Sequence, residues 1–276
     1  MNDRYLLYAG CLIPTRLPFL ERSSRFVLDK LEIEYEPFPD ATCCVEPIGL
    51  RSLGYDTWLA VTARLLSIAE ENEKSILSLC NGCFMSLKEA EHLLRDDELR
   101  SRINEVLAPT GREYHGHAKV RHFLEVVGEQ GEKRIRSLVS VPQERLKLAL
   151  HPGCHLVRPS EVLRVEGRYT PQRLSEIASW TGAGVVDNED WPQCCGGGLA
   201  GVEDAISLAI LNESTARFKG SGANAILTPC PFCFVQFDIR QKEGLPVLYL
   251  AELLSLSFGA SAEEIGLKYH RTKLSI

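Results

Sequence analysis

Ten cysteines fall along the 276 residues in one order used twice: a lone cysteine, an adjacent pair, then CxxC. The first set is Cys11, Cys43, Cys44, Cys80 and Cys83; the second is Cys154, Cys194, Cys195, Cys230 and Cys233. The gaps are 31, 35 and 2 residues in the first set and 39, 34 and 2 in the second, and no cysteine is left over. Such order marks an internal duplication. The chain is therefore expected to fold as two related halves, 1–140 and 141–276. The flanks agree: Ala9-Gly10-Cys11-Leu12 resembles Pro152-Gly153-Cys154-His155, and Leu79-Cys80-Asn81-Gly82-Cys83-Phe84 resembles Pro229-Cys230-Pro231-Phe232-Cys233-Phe234. The copies are not equivalent, because only the second pair leads into Gly196-Gly197-Gly198, a stretch that lets backbone pass close to a bulky group.

Short apolar runs precede several of the cysteines: Tyr5 to Tyr8, Ile76 to Leu79, Leu146 to Leu150 and Ala225 to Leu227. They read as buried strands. Trp58, Val61, Leu65 and Ile68 keep a helical spacing, as do Ile206, Ala209 and Ile210. Strands alternating with helices predict an α/β fold with mostly parallel sheets, in which functional groups collect where strands end and helices begin. The charged, Gly-containing stretch from Gly111 to Arg145 reads as the link between halves.

Hydrophobic residues make up 45% of the chain, enough for an apolar core without disulfide staples. A formal charge of -6 with no basic run argues against a nucleic-acid partner. No stretch is apolar enough over about 20 residues to cross a membrane. Leu7-Tyr8-Ala9-Gly10-Cys11 has a faint likeness to a lipoprotein box, but the apolar run before it is too short for a signal peptide. We expect a cytoplasmic protein whose thiols stay reduced. Structural zinc takes four ligands and leaves one cysteine of each five surplus. Adjacent cysteines pair poorly as disulfides, and an ordered duplication is unlike inert buried cysteine. Thiolate ligation of an iron–sulfur cluster in each half remains the leading expectation, with adjacent cysteines reaching different irons.

The pattern C…CC…CxxC, twice over, resembles the paired CCG domains of the B subunit of heterodisulfide reductase. The resemblance spans nearly the whole chain and includes Gly111-Arg112-Glu113-Tyr114, Val120-Arg121-His122-Phe123 and Thr228-Pro229-Cys230-Pro231-Phe232-Cys233. It implies two related CCG-domain halves, each with an iron–sulfur site. It also implies two noncubane [4Fe-4S] clusters, one held by Cys11, Cys43, Cys44, Cys80 and Cys83, the other by Cys154, Cys194, Cys195, Cys230 and Cys233. The implied activity is cleavage or formation of a disulfide, such as the coenzyme M–coenzyme B heterodisulfide, between the two clusters. The implied partners are the other components of heterodisulfide reductase: a ferredoxin-type protein like its C subunit, and a flavin-containing protein like its A subunit.

Alternatives within the same resemblance are an electron-relay or docking subunit of a quinone-linked dehydrogenase, or a sulfur-oxidation complex acting on another sulfur carrier. His155, next to Cys154, is the candidate proton donor, with His151 a second. Arg16, Arg51 and Arg158 are candidates to receive acidic substrate groups. One departure stands out: methanogen subunits typically place His directly after the second CxxC, where this chain has Phe234.

Overall fold

The computed structural model describes residues 4–45, 48–163, 165, 172–187, 194–242 and 244–274. Three of the four apolar runs become central strands buried along their whole length: β1 (Tyr5–Tyr8), β3 (Ser75–Ser78) and β7 (Ala225–Thr228). The fourth becomes β5 (Lys147–Leu150), buried after its first residue. Such continuous burial belongs to parallel strands covered on both faces. The edge strands β2 (Tyr35–Pro37), β4 (Val120–His122), β6 (Gly184–Val185) and β8 (Val247–Tyr249) are shorter, and only β8 lies in an apolar run. Two four-stranded sheets result, with orders β2-β1-β3-β4 and β6-β5-β7-β8, and every pairing is parallel. The chain leaves β1 toward one edge and then returns to its other side at β3, and the second sheet repeats this around β5. Each sheet therefore has a switch point where a crevice opens at the carboxyl ends of the strands.

Between β1 and β3 run α1 (Leu12–Arg16), α2 (Pro18–Lys30), α3 (Leu50–Leu53) and α4 (Tyr55–Glu71). Then come α5 (Asn81–Leu93) and α6 (Asp97–Leu107). In α4 the helical spacing is borne out, with Trp58, Leu65 and Ile68 buried. α6 is capped by Asp96, whose carboxylate accepts from the Leu99 amide at 2.7 Å.

The stretch expected to be a linker is instead structured. Val120–His122 completes the first sheet, and α7 (Phe123–Gly128) and α8 (Gly131–Leu138) follow, burying Phe123, Leu124, Val126, Val127 and Ile135. Charge concealed these elements, since Arg121 and Glu125 serve a strand edge and a helix cap. Glu125 accepts from the His122 amide at 2.8 Å, and His122 Nδ1 accepts from Leu124 at 3.1 Å.

The second half continues with α9 (Gln172–Trp180), α10 (Asp204–Gly220), α11 (Pro231–Ile239) and α12 (Leu250–Ser257). The helix expected around Ile206 exists as α10, but the buried face is the other one. Ser207, Leu211, Ser214, Thr215 and Phe218 are inward, whereas Ile206 is 51% exposed. Ser207 is inward because Gly196 and Gln236 need its hydroxyl: it donates to the Gly196 carbonyl at 2.9 Å and accepts from Gln236 at 3.0 Å.

The halves are joined through packed helices and buried polar contacts. α12 lies on α2, and α7 and α8 lie on α9. Ser255 Oγ donates to the Ser23 carbonyl at 3.1 Å, and the Tyr249 hydroxyl donates to the Leu79 carbonyl. Asn81 Nδ2 donates to the Pro152 carbonyl at 2.7 Å. The last two contacts draw the carboxyl ends of the two sheets together.

Candidate functional site

The fold delivers all ten cysteines to the strand ends. Cys11 follows β1, Cys43 and Cys44 lie beyond β2, and Cys80 and Cys83 begin α5 just after β3. Cys154 follows β5, Cys194 and Cys195 lie beyond β6, and Cys230 and Cys233 begin α11 just after β7. Cys80 and Cys230 each precede their helix in extended backbone, and their amides donate to Ser78 Oγ and Thr228 Oγ1, both at 3.3 Å. These two strand-end hydroxyls set the turn into each CxxC, and the helix N-terminus beyond it favours thiolate over thiol.

Each set of five is in contact. Cys11 and Cys43 lie 3.8 Å apart, sulfur to sulfur, and Cys44 and Cys83 lie 3.3 Å apart. Ser86 holds the first adjacent pair by donating to the Cys44 carbonyl at 3.0 Å while accepting from the Trp58 indole at 2.6 Å. In the second set the amides of Gly196 and Gly197 donate to Cys194 Sγ at 3.3 Å and Cys195 Sγ at 3.4 Å. The triple glycine thus brings backbone close to the cysteine sulfurs and to Ile48 of the first half. A Cβ at 197 would lie 3.2 Å from both Cys195 Sγ and Phe232, and one at 198 only 2.6 Å from Ile48 of the first half. Gly10 and Gly153 leave space in the same way, at positive φ, beside Cys83 Sγ and Asn81 Nδ2.

The two sets meet. The Cys230 and Cys83 thiols donate toward Cys80 and hold it well below the ordinary thiol range. The Cys154 and Cys195 thiols, with the Gly196 amide, lower Cys194 to about 2. Their neighbours move the other way. Hydrogen bonding to adjacent sulfurs, then burial, raises Cys43, Cys83, Cys154 and Cys233, and raises Cys195 to about 12. Burial takes Cys230 up to about 11. Five crowded sulfurs cannot all be anionic without a positive partner. A metal centre supplies that partner and deprotonates the ligands, so the donor chemistry fits a polynuclear iron–sulfur group.

Beside the second set lies a cavity of about 70 Å³, lined by its five cysteines and by Cys80 of the first set, with Asn81, Gly153, Gly198, His155, Ile48 and Phe232. Exposed apolar side chains stand at this end of the molecule: Ile48 and Phe232 at the cavity itself, then Leu50 and Leu53 of α3 and Ile206 of α10. His155 reaches the cavity and is half-buried. The expected anion receptors do not. Arg51 is ion-paired to Glu89 and lies over Trp58 at 4.9 Å, Arg16 faces a separate groove beside Phe19 and Tyr269, and Arg158 is exposed. The departure at Phe234 also changes meaning. This ring is fully buried and packs on His270 at 5.0 Å and Phe19 at 5.9 Å, away from the cavity lining.

Of four buried side chains around the sulfurs, only His151 has a role from sequence, as a candidate proton donor; Tyr8, His122 and Tyr249 have none. Tyr8 stands three residues before Cys11, as His151 does before Cys154. Tyr8 donates its hydroxyl to the Thr42 carbonyl at 2.6 Å, and its ionisation is pushed far up by burial and by Cys83, Cys44, Cys43 and Cys80. His151 has no such outlet among the described residues. One of its ring nitrogens and the sulfurs of Cys195 and Cys233 lie within 4.8 Å of one another. Its Nε2 is buried without a hydrogen-bond partner, and burial lowers it to about 4. At the ends of β4 and β8 stand His122 and Tyr249, related in the same way. The repeat register, with Tyr8 set against His151 and His122 against Tyr249, could have found the other three in the sequence.

Paired parallel sheets with a five-cysteine set at each switch point define a duplicated cysteine-rich α/β protein. The cysteine-rich CCG domain matches twice, over residues 5–88 and 148–238. The chain is 36% identical over 275 residues to the B subunit of the ferredoxin/F420H2-dependent CoB-CoM heterodisulfide reductase of Methanosarcina acetivorans, covering 95% of this chain and 91% of that one. It is 28% identical over 286 residues to the 8-methylmenaquinol:fumarate reductase membrane anchor subunit of Wolinella succinogenes, covering 98% and 97%. A crystal structure of a hypothetical protein from Helicobacter pylori shares the fold at TM-score 0.78 and 16% identity, over all of this chain and 53% of that one. The chain belongs to the family of heterodisulfide reductase B subunits. No helix among the described residues is long and apolar enough to cross a membrane.

Proposed function

We propose that this chain is the catalytic subunit of a heterodisulfide reductase-like complex. In this reading Cys11, Cys43, Cys44, Cys80 and Cys83 hold one noncubane [4Fe-4S] cluster, and Cys154, Cys194, Cys195, Cys230 and Cys233 hold the other. The observation that carries it is a cavity lined by all five cysteines of the second set and by Cys80 of the first, with Cys80 against Cys230. Cleaving a disulfide to two thiols takes two electrons and two protons. The clusters, when bound, supply the electrons one at a time, and two of them match that number.

The chain's own residues do the rest. Gly10, Gly153, Gly197 and Gly198 keep space beside the sulfurs. Ser78, Thr228, Ser86 and the Gly196 and Gly197 amides fix the cysteines. Ile48 and Phe232 shield the cavity, and His155 passes protons at its edge. The substrate class follows the relative's name, a mixed disulfide such as that of coenzymes M and B. Apolar side chains at this end, Leu53 86% exposed among them, suit coverage by a partner protein that delivers electrons. We assign that role to a ferredoxin-type protein, with a flavin protein behind it in the cytoplasm. A second reading, an electron relay in a quinone-linked enzyme, is favoured by one observation: none of the three candidate arginines lines the cavity.

The test is anaerobic reconstitution of the full chain. About eight irons are expected for two [4Fe-4S] groups, with Cys44→Ser and Cys195→Ser each removing about half. Reduced viologen and a panel of disulfides then decide between the readings. Thiol release supports catalysis, cluster oxidation without thiol release supports the relay, and zinc uptake without iron refutes both.

A further inference from the structure

The two sets of cysteines are flanked by different chemistry. Beside the first stand two tyrosines, Tyr8 and Tyr249, and each donates its hydroxyl to a backbone carbonyl, of Thr42 and Leu79. Neither has a proton left to give; His122 of the first half also has a buried Nε2 without a partner, but the sulfur whose charge acts on it is Cys230 of the second set. In the second half the position of Tyr8 is taken by His151, only 4% exposed. Its ring is clamped edge-on by Phe237 at 4.8 Å and by Phe218 at 6.4 Å. The clamp fixes the ring plane, and one nitrogen then lies with Cys195 and Cys233 inside 4.8 Å. Its Nε2 is shut off from water with no partner. An unpaired buried N–H is costly, and side chains that leave one unpaired at a ligand site are usually aimed at something the site binds.

We infer that His151 donates an N–H hydrogen bond to a sulfur of the second cluster, and that the first cluster has no side-chain counterpart to it among the described residues. This rests on the iron–sulfur reading above. A donor to sulfur stabilises the more electron-rich, reduced form, so the second cluster has the higher reduction potential of the two. Electrons entering the protein then settle first on the Cys154–Cys233 side. His151 tunes the cluster and takes no part in bond breaking.

The experiment is a redox titration of the anaerobically reconstituted full chain, followed by electron paramagnetic resonance. Loss of one signal in Cys44→Ser assigns the other to the second site. In His151→Phe the reduced-to-oxidised ratio of the second signal at fixed potential should fall about tenfold, equivalent to 59 mV for one electron. The first signal should not move, and His151→Gln, which keeps an N–H, should restore most of the loss. Independently of any variant, histidine labelled with ¹⁵N should give a weak coupling to the second signal and none to the first. An unmoved second potential in His151→Phe, or a strong ¹⁵N coupling of the size of direct iron ligation, would overturn the inference while leaving the clusters in place. A second half that takes up no iron would overturn the iron–sulfur reading with it.

Discussion

Replacing Gly153 by alanine tests whether the approach of the two halves is as close as the structure draws it. Gly153 has φ 80° and ψ 145°, a region reserved almost wholly for glycine. Strain there costs about 1–3 kcal/mol. An added Cβ would stand 2.6 Å from Asn81 Nδ2 and 3.4 Å from Cys233 Sγ. Asn81 is 1% exposed, its Oδ1 already lacks a partner, and its amide is bonded to Pro152. Pushing it aside breaks that bond at about 1–3 kcal/mol, so the sum is about 2–6 kcal/mol, a large part of a typical domain's stability.

Gly111 supplies the control. Its φ is 72°, and a Cβ there meets nothing within 4 Å. Gly111→Ala should therefore cost only the backbone strain, about 1–2 kcal/mol. Urea unfolding of the metal-free chain at pH 7 reads both. Gly153→Ala should be the less stable, and after reconstitution it should hold less iron, whereas Gly111→Ala should load normally. If the two variants lose the same stability to within about 0.5 kcal/mol, the contact between Gly153 and Asn81 does not exist as drawn.

Two further outcomes follow from buried polar groups. Tyr249→Phe removes the hydroxyl that reaches the Leu79 carbonyl across the halves, and should cost about 1–3 kcal/mol of stability, read as a lower urea midpoint; an unchanged midpoint would mean that the two halves do not depend on this bond. Burial lowers His122 from an ordinary 6.5 to about 3, so the unfolded chain binds the extra proton between those values. Its contribution is complete above about pH 6.5 and is lost as pH falls toward 3, at up to about 1.4 kcal/mol per pH unit. Urea midpoints at pH 7 and 5.5 should therefore differ more for the wild type than for His122→Gln, and equal differences would refute the assignment.

How much was legible in the chain varies with the kind of signal. Central strands such as Tyr5–Tyr8 and Ala225–Thr228 announce themselves because parallel strands covered on both faces must be apolar throughout. Val120–His122 does not, because an edge strand of three residues carries Arg121 and ends on a capping histidine. The face of α10 was misleading for a related reason: its buried side carries Ser207, whose hydroxyl holds the Gly196 carbonyl, beside Leu211 and Phe218, while Ile206 faces outward. Arg51 looked like an anion receptor until Glu89 and Trp58 were seen to occupy it.

The sequence by itself determined the duplication, the two sets of five cysteines and their place after strands, because covalent order and local hydrophobic pattern carry those facts. It could not determine that the two strand ends face each other, since that depends on α12 lying on α2 and on Asn81 and Tyr249 reaching across the seam. Nor could it distinguish Tyr8 from His151 as neighbours of sulfur. Both are buried residues three positions before a cysteine. Tertiary structure alone decides that the tyrosine hydroxyl finds a carbonyl, while the imidazole, held between phenylalanines, is left among the described residues with the sulfurs of Cys195 and Cys233 beside it.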